Sequence, residues 1–358
     1  MRSKIFQWLL IVPAIFFGIA GCQNSINILK SKYDVSAHYE NIQTENTIQQ
    51  GIRKYLISHH VNGSIAVVKK NEIIFQEGVG FANRKRQIAN QPSTAHPIAS
   101  ITKLMVATSI MQLQDQGKIT IQDSVSTYIP DFPNGKNIKL IHLLNHTSGI
   151  KAPRWYSGNK KPTVIVKRLN TTSIRFPPGT QWDYNDINYF VLGFIVEKVS
   201  REPLHEYIQK NIFNKASMAH SGFISDMPPV YSTGYLKLGN QLIPANRLNT
   251  DLLFGCGDIY STVLDLCLFD EALMSGKLVS KHSLKEMLTP GPKSNYGLGL
   301  YVSDSMVYSR GVVGGWESLH VYFRNKTSIA ILLNVRDKGL DIHQVAKDVY
   351  KMMNERYL

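Results

Sequence analysis

A serine hydroxyl placed three residues before a lysine is the simplest pairing in this chain that could make a nucleophile. On a helix, residues three apart share a face, so the amine can reach the hydroxyl. The lysine can act as base only where burial and neighbouring charge lower its pKa. The spacing occurs three times: Ser100-Ile101-Thr102-Lys103, Ser148-Gly149-Ile150-Lys151 and Ser157-Gly158-Asn159-Lys160. The last two lie in glycine-containing segments where nothing fixes helical geometry. Ser100 instead opens a run with Leu104, Met105, Ala107, Ile110, Met111 and Leu113, stopped by Gly117. The N-terminal N–H groups and dipole of such a helix favour a developing oxyanion. Ser100 is therefore the candidate nucleophile and Lys103 its candidate base. His142 and His146 invite a Ser–His–Asp triad, but no Gly-x-Ser-x-Gly elbow accompanies them. His59-His60 reads as solvated surface. No metal-ligand spacing is present, and the chemistry calls for no metal or organic cofactor.

The elements that must hold this pair are readable from period. Ile48, Ile52, Tyr55 and Leu56 mark a helix running from Asn46 to a stop near Asn62-Gly63. Ser64–Val68 and Ile73–Gln76 follow as a hairpin turned at Lys69-Lys70-Asn71-Glu72. A second hairpin, His320–Arg324 with Ser328–Asn334, surrounds Asn325-Lys326-Thr327, and Ile342, Val345, Val349 and Met352 mark a closing helix. Strands at both ends with helices between predict an α+β fold. Its antiparallel sheet comes from the two termini and is flanked by helices, with a helical insert subdomain built from roughly residues 119–288.

Composition bounds the setting. The 358 residues are 43% hydrophobic and 18% charged, which is globular rather than disordered. Forty Lys and Arg against 26 Asp and Glu leave a formal net charge of +14, which favours polyanions nearby. No nucleic-acid recognition motif and no run of five basic residues supports nucleic acid as that polyanion. Arg2 and Lys4 precede an apolar stretch, Ile5 to Ala20, interrupted by Gln7 and Pro13. It is too short and broken for a comfortable membrane span. It ends in Ile19-Ala20-Gly21-Cys22, which resembles the lipobox of bacterial lipoproteins. That resemblance makes residues 1–21 a signal peptide, Cys22 the lipidated residue, residues 22–45 a polar tether and residues 46–358 the functional domain. It places the protein outside the cytoplasm, anchored to the membrane by lipid, with a mature charge of +12 once Arg2 and Lys4 are removed. An ordinary signal peptide or an uncleaved N-terminal anchor is the alternative. Of the remaining cysteines, Cys256 and Cys267, buried free thiols are expected over a disulfide.

The block Pro97–Lys103 resembles the first motif of the serine β-lactamase and penicillin-binding protein family, in its class C-like branch. Further landmarks follow in that family's order: Gly78–Asn83, Leu143-Leu144-Asn145-His146-Thr147-Ser148-Gly149, Gly257–Asp265 and Tyr296-Gly297-Leu298-Gly299. His146 falls in a segment that the family uses structurally. The family's Tyr-x-Asn is carried by Trp182-Asp183-Tyr184-Asn185-Asp186, with Asp186 where asparagine usually stands. The resemblance implies that Tyr184 shares proton transfer with Lys103.

The family's Lys-Thr-Gly or His-Thr-Gly is matched here to Gly311-Val312-Val313-Gly314-Gly315. Gly314 and Gly315 keep the backbone open to substrate, and Gly315 N–H is expected to join Ser100 N–H as an oxyanion hole. The missing cation and hydroxyl remove charge-assisted hydrogen bonds worth roughly 1.5–3 kcal/mol each to a substrate carboxylate. Both departures resemble the FmtA-type teichoic-acid D-alanyl esterases. This implies an aminoacyl ester on an anionic cell-wall polymer as substrate, with Asp186 meeting its ammonium. A DD-peptidase acting on peptidoglycan stem peptides and a non-catalytic cell-wall receptor are the competing expectations.

Overall fold

The computed structural model describes residues 35–151, 164, 166, 173–228 and 231–354. Cys22, the apolar leader and the serine–lysine pair Ser157/Lys160 lie outside the described residues. No helix among the described residues is long and apolar enough to cross a membrane.

Both expected hairpins form. Gly63–Lys69 (β1) and Glu72–Val79 (β2) pair antiparallel. Their two-residue turn places Lys70 and Asn71 at φ 51° and 69°, the left-handed geometry that matches strand twist. Tyr301–Val302 (β3), Met306–Val313 (β4), Trp316–Phe323 (β5) and Thr327–Leu333 (β6) follow. They assemble with the first hairpin in the order β3-β4-β5-β6-β1-β2, every neighbour antiparallel. The N- and C-terminal strands thus meet at the β1–β6 seam, from Gly63↔Leu333 to Lys69↔Thr327. Every residue of β6 is buried, because helices cover the sheet on both faces.

The chain divides between Gly51 and Ile52. Val35–Ser58 (α1) is helical, so the helix begins eleven residues earlier than expected and takes in part of the segment read as tether. Residues 35–45 carry scattered polar residues without an apolar stripe, so period gave no signal there. Within the unit that starts at Ile52, Ile52 and Leu56 are buried as their spacing predicts.

Thr102–Asp115 (α2) is buried over its first twelve residues and packs on Asp186–Ser200 (α3). Val263–Met274 (α4) covers one face of β1, β5 and β6, where the Asp270 carboxylate accepts hydrogen bonds from Ser328 at 2.6 Å and from His320 at 2.7 Å. Ile342–Asn354 (α5) covers the other face, with Tyr350 stacked on Phe323 at 3.7 Å. The buried residue near its end is Met353, where the spacing pointed to Met352. Cys256 and Cys267 are buried free thiols. A three-stranded ribbon of His96–Pro97, Ile259–Ser261 and Gly222–Phe223, with Ile98 N–H donating to Ile259 O, ties the segment before Ser100 to the one after Cys256.

Candidate active site

Ser100 sits in a single 3-10 turn, Ala99–Ile101, that feeds directly into α2. Lys103 is in the first turn of that helix and is fully buried. Its three N–H donors are all taken: Ser100 Oγ at 2.9 Å, the Cys256 carbonyl at 2.8 Å and Asp186 Oδ1 at 2.7 Å. An ammonium has three donors and no lone pair, so this arrangement holds Lys103 protonated. Burial by itself would push the amine down. Tyr184, the Asp186 carboxylate through its charge and its hydrogen bond, and Cys256 outweigh it and hold Lys103 above its ordinary value. The expectation that burial and neighbouring charge lower this pKa is therefore reversed. Its physical reason is the carboxylate that replaces the usual asparagine.

Asp186 occupies the first turn of α3, where a helix N-terminus favours negative charge. Asn185 caps that helix: its side chain accepts from Ile187 N–H at 3.2 Å and donates to Ile150 O at 2.7 Å. One carboxylate oxygen of Asp186 faces Lys103, yet the side chain remains 60% exposed. It lines a cavity of about 390 Å³ with Tyr184, Phe190, Leu252, Leu253 and Cys256. The Tyr184 ring centroid lies 5.2 Å from Lys103 Nζ, and the ring rests on His146 at 4.3 Å. His146 is fully buried, and burial, together with the nearby Lys103 charge, drives its pKa well below the usual value. Its Nδ1 is held between Asn185 N and Asn188 Nδ2 at 3.2 and 3.0 Å, so His146 is a neutral seat for Tyr184. That matches the structural part assigned to it above.

The third motif is placed differently from expectation. Gly311, not Gly315, stands beside the serine: a Cβ there would lie 2.1 Å from Ile98 O and 2.9 Å from Ser100 N. Gly315 packs on another strand, where a Cβ would lie 2.2 Å from Tyr235 N. It is separated from Gly311 by Val312, Val313 and the turn, roughly 10 Å at about 3.3 Å per strand residue. Gly314 has φ 52° and, with Gly315, forms the two-residue turn between Val313 and Trp316. The triplet ending on the glycine beside Ser100 is thus Ser309-Arg310-Gly311, which does contain a cation. Successive strand residues face opposite ways. Ser318 donates to Ile98 O on the Ser100 side at 2.7 Å, which puts its neighbour Glu317 and, diagonally across the pair, Arg310 on the far side. There Arg310 grips Glu317 at 2.6 and 2.8 Å. The strand next to Ser100 therefore presents no cation to it, for a reason the sequence did not reveal.

The other serine–lysine spacing that is described fails on geometry. Ser148 is buried and donates to Asn188 Oδ1 at 2.6 Å, while Gly149 at φ 72° turns the chain and Lys151 is exposed. The Cys256 carbonyl on Lys103 had no sequence signal, since any residue supplies a carbonyl. A second groove, of about 930 Å³, lies on the Pro97 side and is lined by Tyr231, Thr233, Asn246, Arg247 and Trp316.

A serine whose hydroxyl is bonded to a buried lysine, beside a tyrosine and a glycine-bearing edge strand, is the arrangement that the sequence resemblance implied. The family model described as Beta-lactamase matches residues 47–347. The chain belongs to the β-lactamase family. It is 37% identical to the penicillin-binding protein PbpX of Bacillus subtilis over 318 residues, covering 88% of this chain and 81% of that one. It is 27% identical to the teichoic acid D-alanine hydrolase of Staphylococcus aureus, covering 84% and 77%. Among solved structures, FmtA of Staphylococcus aureus superposes with a TM-score of 0.79 at 25% identity, over 87% of this chain and 90% of that one. The D-amino acid amidase of Ochrobactrum anthropi shares the fold, with a TM-score of 0.76 at 20% identity over 88% of this chain and all of its own. This protein is a serine hydrolase of the β-lactamase family with an antiparallel sheet flanked by helices.

Proposed function

We propose that the protein removes D-alanyl esters from teichoic acid, an anionic polymer of the bacterial cell envelope. The observation that carries this is the exposed Asp186 carboxylate, which pairs with the lysine that bonds Ser100 and lines a cavity of about 390 Å³, together with a strand whose one cation is turned to the opposite face. A D-alanyl ester offers an ammonium and no carboxylate, so it suits an anionic cavity and has no use for the missing cation. The likeness to the staphylococcal teichoic acid D-alanine hydrolase supports the same choice. The polymer carrying the ester lies in the groove of Tyr231, Asn246, Arg247 and Trp316, and the net charge of +12 left once Arg2 and Lys4 are removed draws it there.

In this reading Ser100 Oγ attacks the acyl carbon while Lys103 accepts its proton, with Tyr184 assisting. Two N–H groups receive the oxyanion. One belongs to Ser100 and the other to Val312, which replaces Gly315 in that role. In a two-residue hairpin the closing pair, Val313 and Trp316, exchanges both hydrogen bonds, so at the next pair, Val312 and Glu317, the N–H points away from the partner strand. Strand β3 reaches only Val307 and Tyr308, leaving that side of Val312 at the free edge. Protonation of the departing alkoxide through Tyr184 leaves acyl-Ser100, and water attacks it along the reverse path. A polymer outside the membrane requires an extracytoplasmic enzyme. Cys22 is the proposed lipid anchor, residues 1–21 the signal peptide, and the stretch up to about residue 45 the spacer to the hydrolase domain.

The test is D-alanine release from D-alanylated lipoteichoic acid by the protein and by Ser100→Ala. Release that disappears in the variant supports the esterase. Stable labelling of Ser100 by fluorescent penicillin without D-alanine release would make it a DD-peptidase type. Polymer binding that survives Ser100→Ala with no ester turnover would make it a receptor.

A further inference from the structure

The carboxylate that pairs with the buried Lys103 ammonium is also the residue open to the substrate. The groups facing its amine are few. Asp186, Tyr184 and Tyr189 come from α3 and the segment before it, Cys256 from the chain on the other side, and His146 lies beneath. Among the described residues only Asp186 makes an ion pair with it, at 2.7 Å, and the remaining two N–H donors go to neutral oxygens of Ser100 and Cys256. The Ser100 hydroxyl accepts from Lys103, the reverse of what deprotonation needs. In this arrangement the pair is an off state. Yet Asp186 is 60% exposed and lines a cavity of about 390 Å³ with Tyr184 and Cys256, both of which also reach the lysine that bonds Ser100.

We propose that the substrate's own ammonium switches the enzyme on, by taking over the Asp186 carboxylate and releasing Lys103 to act as the base. This rests on the esterase reading above and deepens it. Before substrate, the pair of Lys103 and Asp186 is neutral overall. A second cation at Asp186 makes the site net positive in a buried setting, and Lys103 gives one proton to water to restore neutrality. The amine, now with a lone pair, takes the Ser100 proton as Oγ bonds to the acyl carbon and the carbonyl π electrons move to oxygen. Collapse of that intermediate breaks the bond to the polymer oxygen, which receives the proton that Lys103 holds. Water then attacks acyl-Ser100, giving a proton to Lys103, which passes it to Ser100 Oγ as the acyl–oxygen bond breaks. When D-alanine leaves, Lys103 takes a proton back from water, pairs again with Asp186, and the off state is restored. An ester without an amine meets a protonated lysine and is spared, so Asp186 selects substrate through the base as well as by contact.

The experiment compares two soluble esters of one alcohol, D-alanyl and propionyl, which differ only in the ammonium, at pH 7. The wild type is expected to prefer the D-alanyl ester in kcat/KM by at least about a hundredfold, two pKa units of base availability. Asp186→Asn should hydrolyse the propionyl ester at least about tenfold faster than wild type, while losing rate on the D-alanyl ester. Simple recognition predicts only the loss. A second measurement needs no variant: methylammonium added to the wild type should accelerate propionyl hydrolysis, with no such effect in Asp186→Asn. Methylammonium that fails to accelerate the wild type, together with no gain in Asp186→Asn on the propionyl ester, overturns the switch while leaving the esterase in place. Absence of Ser100-dependent hydrolysis of either ester overturns the esterase reading, and the switch with it.

Discussion

Lys103 shows how one substitution at a motif position changes the state of another residue. With asparagine at position 186, a buried amine would meet only dipoles, and burial would favour its neutral form. With aspartate, the resting protein keeps an ammonium whose three donors are all satisfied. A lysine raised above its unfolded value contributes stability that is fully present below the unfolded pKa and lost only as pH climbs through the folded one. Stability at neutral pH is therefore insensitive to it. Lys103→Met should cut D-alanine release by about 10²–10⁴, the usual worth of a positioned base. Fold stability should change little. The variant leaves the Cys256 carbonyl unpaired, a cost of about 1–3 kcal/mol, but removes the desolvation of a buried charge. Thermal unfolding checks this: a melting point lowered by more than about 10 °C would mean that Lys103 is a structural residue first.

At the scale of elements, the site depends on how closely β4 approaches the turn carrying Ser100. Gly311→Ala puts a methyl 2.1 Å from the Ile98 carbonyl, which is backbone and cannot swing aside. The strand must retreat from the serine, taking the Val312 N–H with it. Loss of one oxyanion donor costs about 10²–10³ in kcat, so the variant should lose at least that in D-alanine release with a modestly lowered melting point. Near-wild-type kcat in Gly311→Ala would show that Val312 is not the donor. Both flanking hairpins and helix α2 were legible from the sequence because period 2 and period 3.6 are written in their apolar residues. The register of β4 was not. The motif there keeps three glycines and has lost the lysine and threonine that would fix its frame. Only the turn at Gly314-Gly315 and the register Gly311↔Ser318 choose among them. The Lys103–Asp186 contact was equally hidden, since it joins two helices 83 positions apart and depends on rotamers rather than on period. Ser100 itself was legible only because one of three similar spacings opened a helix.

For the whole molecule, the charge balance and the buried histidines make separate forecasts. The net charge of +14, or +12 once Arg2 and Lys4 are removed, attracts a polyphosphate over distances comparable to the Debye length, about 10 Å at 0.1 M salt and about 3 Å at 1 M. Raising salt should therefore raise KM for the polymer and leave KM for a small D-alanyl ester nearly constant; parallel changes would remove mass electrostatics from the account. The fold's response to acid follows from His96 and His146. His96 links β1 to the groove wall: its Nε2 reaches Ser64 Oγ at 3.1 Å and its Nδ1 reaches Ser232 Oγ at 2.9 Å, while Ser232 accepts from Trp316 Nε1 at 2.9 Å. Ser64 donates to Gln91 O, so the network is complete with a proton on Nε2 alone, and a second proton on Nδ1 would break it. Burial pushes His96 down to about 3, and His146 well below its usual value. Each stays neutral in the fold while the unfolded chain binds a proton near pH 6.5. The stabilisation they give is thus present above pH 6.5 and lost as pH falls towards the folded values. Two such groups should lower the unfolding free energy by about 2–3 kcal/mol between pH 6 and pH 5. Urea unfolding at the two pH values measures this, and His96→Gln should remove about half of the slope. A slope unchanged in that variant would mean that His96 is already charged in the fold, and that the Ser64–Ser232–Trp316 chain is held by something other than a neutral imidazole.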